Sequence, residues 1–138
     1  MSEAIKLNNN VYLDSSGIVH NKTKLSDVLT YSTNEIKVGN WIDGKPIYRK
    51  VINIGTLPNS TRKEIATNIS NLKLVTKIYG VATTGAYTIT VPDTYPNGAV
   101  YDTRLSYDNS TGKIILLSAS DRSAYSGYVI MEYTKTTD

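Results

Sequence analysis

The residues able to do chemistry are few, and their spacing limits what that chemistry can be. His20 is the only histidine and cysteine is absent, so neither a Cys/His zinc set nor a thiolate nucleophile can be assembled. A Ser-His-Asp triad would have to recruit His20 from the N-terminal block, and a surface or interface histidine accounts for it better. The carboxylates Asp43, Asp93, Asp102, Asp108 and Asp121 sit mostly where turns belong. Glycoside hydrolysis needs two acids about 5–10 Å apart across a groove. Asp102 and Asp121 are the pair able to meet, but no spacing brings them together, and turn capping explains them. P-loop and Gly-x-Gly patterns are missing. The expectation is a protein with no catalytic residues, no metal and no cofactor.

Aromatic residues beside polar ones offer a different chemistry, recognition. Sugars present apolar C–H faces and directional hydroxyls, so an aromatic ring flanked by Asp, Asn or Arg suits them. Tyr95, Tyr101, Asp102 and Arg104 cluster after a Pro/Gly loop, and Asp121, Arg122, Tyr125 and Tyr128 cluster in another. From these, Tyr95, Asp121, Arg122 and Tyr125 are the candidate ligand-binding set, against the plainer reading of sheet and rim residues.

Those loops need strands to carry them, and the composition supplies strands. Eleven tyrosines, one tryptophan and no phenylalanine, with abundant Thr, Ser, Asn and Ile, favour half-exposed sheet faces. Alternating runs span residues 72–81, 86–91, 101–107 and 127–135. The run Ile114-Ile-Leu-Leu117 reads as buried on both faces. Asp43-Gly44 joins strands over 35–42 and 47–55 through a tight hairpin, with Trp41 on one arm and Tyr48 and Arg49 on the other. Glycine at 112 suits the loop 108–112. Thr61-Arg-Lys-Glu64 has capping-box spacing before Ile65, Ile69 and Leu72, which predicts a short helix over 62–70. Leu25-Ser-Asp-Val-Leu29 is one helical turn capped by Ser26 or a short strand.

Short strands about ten residues apart predict an all-β antiparallel sandwich or jelly-roll-like domain with one short helix over residues 31–138. Residues 1–30 form a separate segment too thin to fold alone, suited to attachment or packing against another subunit. Loops 92–100 and 119–127 are separated by two strands and should emerge at the same end. No apolar run is long enough to span a membrane, and the first residues lack a signal-peptide pattern.

Net charge is +3, distributed unevenly: residues 37–77 carry eight basic and two acidic side chains, for +6, between ends of −1 and −2. The cations are scattered, without a nucleic-acid-binding signature, and read as a solvated face.

The segment Val38-Gly-Asn-Trp-Ile-Asp-Gly-Lys-Pro-Ile-Tyr-Arg-Lys-Val51 resembles a string found in fibre and minor structural proteins of tailed bacteriophages, near the distal ends of head or tail fibres. Residues 68–80, Ala119–Val129 and Glu132–Asp138 look like parts of the same module. The resemblance implies a non-enzymatic virion protein on the phage particle surface, a homotrimer that joins other phage structural proteins through its N-terminal segment. It implies contact with a host cell-surface glycan, as a carbohydrate-binding receptor module or, third in order, a depolymerising tailspike domain. Neither nucleic acid nor membrane insertion is expected. Within the motif Trp41, Asp43, Gly44 and Tyr48 are structural, Trp41 as a core or subunit-packing residue.

Overall fold

The computed structural model describes residues 5–7, 11–13, 19–21, 25–94 and 102–138, with side chains from Ser26 onward. Near the N-terminus, β1 (Ile5–Leu7), β2 (Val11–Leu13) and β3 (Val19–Asn21) pair as a small antiparallel meander. The main body is an antiparallel sandwich. One sheet has five strands in the order β4 (Ile36–Asn40), β5 (Pro46–Thr56), β11 (Ser126–Lys135), β7 (Leu72–Thr83) and β8 (Thr88–Val91). The other has three, in the order β6 (Arg62–Ala66), β10 (Lys113–Ser118) and β9 (Thr103–Asp108). The all-β fold is as the sequence predicts.

The core lies between the sheets. Ile52, Val129, Met131 and Tyr133 from the larger sheet meet Ile114 and Leu116 from the smaller, with Leu57, Ala82 and Val91 closing the sides. Strand β11 is central because its inward positions 129, 131 and 133 are wholly buried. Strand β10 alternates instead of burying both faces: Ile114, Leu116 and Ser118 point in, while Leu117 is 42% exposed.

Two expectations change. Residues 62–66 form strand β6, not a helix, pairing along β10 from Leu117↔Arg62 to Lys113↔Ala66. Helical spacing of Ile65 and Ile69 arises because a strand residue and a loop residue both pack on the core. Asn68 and Asn71, at φ 54° and 57°, then turn the chain out of any regular element. The helix is instead α1 (Leu25–Leu29), with Ser26 inside it rather than capping it.

Strict alternation also fails along β7. Register with β11 slips twice, leaving Thr76 and Lys73 without an opposite residue. Each slip is a β-bulge that turns the next side chain over. Ile78 and Gly80 therefore share the inward face with Ala82, but below them Val75 joins Leu72 on the core and Leu74, which simple alternation would place there, is 45% exposed.

The outer face of the five-stranded sheet has two halves. Across one, residues 27–32 are tied down. Arg49 Nη2 on β5 donates to the carbonyls of Asp27, Val28 and Thr30 at 3.3, 2.7 and 2.6 Å. The Tyr31 ring lies 4.1 Å from the same guanidinium, and the Val51 amide donates to Ser32 O at 2.8 Å. Ile130, outward-facing between Val51 and Tyr79, is only 7% exposed. The other half, with Asn53, Tyr128, Val81 and Thr90 in one cross-strand row, is open.

Candidate functional site

The candidate rim forms where β5 leaves the sheet and β11 enters it. The Leu57 amide donates to Tyr125 O at 2.8 Å, Arg122 N to Pro58 O at 3.1 Å and Ser60 N to Ser120 O at 3.0 Å. Asn59 and Asp121 make an isolated bridge. Arg122 Nη2 reaches Asp93 Oδ2 at 2.8 Å, so the loops after β8 and β10 do meet at one end, as strand parity predicts. Tyr95 and Tyr101 lie outside the described residues.

The three described members of the candidate set do different work. Arg122 is 9% exposed; its guanidinium pairs with Asp93 and lies 5.4 Å from the Tyr125 ring centroid. It ties two loops together. Tyr125 is half-buried against the core. Asp121 Oδ1 accepts from Ser123 N and Oγ at 2.9 and 2.6 Å, and these bonds, the hydroxyl's first, hold its carboxyl below the usual range. Asp43 and Asp108 likewise accept from the backbone amides of Lys45 and Ser110, so turn capping explains all three. Asp102 lines a shallow depression with Ser60, Arg104, Leu117 and Ala119, and its carbonyl accepts from Ala119 N at 3.0 Å.

The motif hairpin occupies the opposite end. Gly44 has φ +81°, the left-handed turn position expected of it. The tip closes through Trp41 N to Lys45 O at 2.8 Å and Gly44 N to Trp41 O at 2.9 Å. Trp41 is half-buried and stands outside the core cluster, while its neighbour Ile42 is 92% exposed. The aromatic packing expected of Trp41 falls to Tyr48 and Tyr133, cross-strand partners stacked at 6.2 Å. Tyr133 Oη donates to Glu35 Oε2 at 2.5 Å, and Lys135 Nζ pairs with Glu35 Oε1 at 2.6 Å. Burial, then the Glu35 carboxylate, pushes the Tyr133 hydroxyl far up. Burial with Asp138 pushes Tyr48 up to about 12.

The basic middle is not a uniformly solvated face. Arg49 holds three carbonyls, Lys50 Nζ donates to Thr67 O at 3.0 Å, and Lys63 Nζ to Ile54 O and Thr56 O at 2.8 and 2.7 Å. Lys45 Nζ donates to Asp138 O. Sequence reasoning missed these roles because a cation that satisfies loop carbonyls leaves no local spacing signal. Arg49, outward on a strand between inward-facing Tyr48 and Lys50, is visible only once the register is known.

Among the described residues, no three His, Asp or Glu side chains converge on a metal position, and no helix is long and apolar enough to cross a membrane. The chain matches no protein-family model, and neither a curated protein nor a solved structure matches it.

Proposed function

We propose that the chain is a non-enzymatic structural module of a tailed-bacteriophage virion, a trimeric fibre domain that contributes to attachment at the host surface. One observation carries this reading: the segment resembling fibre proteins folds as a single unit. Residues 38–51 form the edge hairpin of the larger sheet, and the closing residues return to it through Lys45–Asp138 and the Tyr48–Tyr133 stack. The loops joining β5 to β6 and β10 to β11 gather with Asp93, just after β8, at the other end, a polarity that suits a module anchored at one end and exposed at the other. The carboxylates of Asp43, Asp108 and Asp121, each held in a turn, favour recognition over acid–base chemistry.

Light scattering on the purified chain should give three times the 15.2 kDa of one copy, and a monomer at micromolar concentration would overturn the trimer. Gold-labelled antibodies against residues 25–138 should decorate fibres on particles of the phage that encodes the protein. Unlabelled particles would overturn the virion role.

A further inference from the structure

The open half of the sheet's outer face offers a recognition surface distinct from the loop rim. Tyr128 stands at its centre, 48% exposed, between Asn53 on β5 and Val81 on β7, itself 40% exposed. Beside the ring is a depression of about 430 Å³ lined by Asn53, Gly55, Thr83, Ser126, Gly127 and Tyr128, within the size range of ligand clefts, about 300–1,000 Å³. Two of its lining residues, Gly55 and Gly127, are positions where a side chain is disfavoured. At Gly127 a Cβ would lie 1.9 Å from Val81 O, and Gly55 adopts φ +63°. The β5–β11 register shifts at this point, between Gly127 and Tyr128, so the ring borders a local step in the sheet.

The lining groups also have hydrogen-bonding capacity to spare. Asn53 Oδ1 accepts from Gly55 N at 2.8 Å, which orients the carboxamide and leaves its two N–H donors without a partner among the described residues. Hydroxyls of Ser126 and Tyr128 are likewise uncommitted there, whereas Thr83 Oγ1 is engaged by Tyr87 O and Gly85 N. No charged side chain lines the depression. The nearby Lys63 ammonium directs two of its three N–H donors to Ile54 O and Thr56 O and is not among the groups that line the depression.

We propose that this face binds a neutral saccharide unit, its apolar C–H face stacked on Tyr128 and its hydroxyls met by Asn53 and Ser126. A pyranose needs an aromatic plane with donors at its edge and no net charge, and those are the groups present. The proposal deepens the attachment reading by naming a ligand class and a surface. It can also fail alone, since saccharide binding and fibre labelling are measured separately.

The test uses the full chain on a printed array of neutral and acidic oligosaccharides, with saturation-transfer NMR on methyl glucoside, methyl galactoside and N-acetylglucosamine. At least one neutral sugar should receive saturation at its ring C–H protons. Tyr128→Ala should weaken binding about tenfold or more, the loss expected when an aromatic contact disappears. Tyr128→Phe should retain most of it, and Asn53→Ala should fall between. Melting temperature and solution mass should stay those of the wild type. Binding confined to acidic glycans, no neutral sugar bound, or undiminished binding by Tyr128→Ala would overturn the proposal. A change of oligomer mass in Tyr128→Ala would overturn it too, by making this face a contact between copies of the chain.

Discussion

The two halves of the five-stranded sheet's outer face are made by the same three strands, a few residues apart, yet one is sealed and the other bare. At the sealed half Arg49 and Ile130 are each 7% exposed; at the bare half Val81 and Tyr128 are 40% and 48% exposed. The covering segment is not strongly apolar in its contact, since Val28, Leu29 and Tyr31 remain 36%, 71% and 58% exposed. What distinguishes the halves is therefore directional bonding. One guanidinium collects three carbonyls in and just beyond the short helix, of which Asp27 O also accepts from Thr30 N at 3.3 Å, and its Nη1 lies 3.7 Å from Glu132. A sheet face can thus be closed by polar geometry where hydrophobic burial alone would not suffice.

The largest effect should come from removing that guanidinium. Arg49→Met removes the donor shared by the Asp27, Val28 and Thr30 carbonyls and the cation facing Glu132, and should cost about 3 kcal/mol in denaturant unfolding. A loss under about 0.5 kcal/mol would mean that the segment is held by something else. Ile130→Ala should cost about 2–3 kcal/mol as a buried truncation. The same change at Val81, on the bare half, should cost well under half as much. Equal costs at the two sites would erase the distinction.

Alkaline pH sharpens the comparison next. Tyr79 is raised first by its hydrogen bond to Tyr31 and then by burial, and Tyr48 is raised to about 12. Tyrosines in an unfolded chain ionise near 10, so the folded state favours the neutral form. That contribution is complete below about pH 10 and is lost as pH rises through about 12. Unfolding curves should show stability falling across this window, and Tyr31→Phe should reduce the fall by removing the first cause at Tyr79. The smallest effect belongs to the bare half. Tyr128→Ala should change stability by no more than about 0.5 kcal/mol, and a larger loss would show that its ring is packed.

Much of the scaffold is legible in the chain. Asp43-Gly44 and Gly112 announce their turns through backbone conformation alone, and the period-2 pattern of residues 127–135 survives folding because β11 is paired on both sides and keeps Val129, Met131 and Tyr133 on the core. The meeting of loops 92–94 and 119–125 follows from counting strands. Misreadings arise where the decisive partner is distant. Residues 62–66 carry helix-start chemistry, yet β10 supplies five paired positions that override it. Thr76 and Lys73 look like ordinary alternating positions, and only pairing with β11 makes them bulges. At the candidate rim, Arg122 and Tyr125 look like an open hand because nothing nearby in sequence reveals Asp93 as the arginine's partner.

The Arg49 clamp has a mechanical consequence. All three carbonyls of the covering segment converge on one nitrogen, Nη2, so tension entering from the N-terminal side loads these bonds together rather than in succession. A hairpin peeled from its end yields one rung at a time, at low force. This attachment has no rungs to yield and should release in a single step, near the highest load it can bear. Until then, a pull on residues 27–30 is delivered straight into β5, which is hydrogen-bonded on both sides to β4 and β11. Strain would be spread over the sheet before any strand parts.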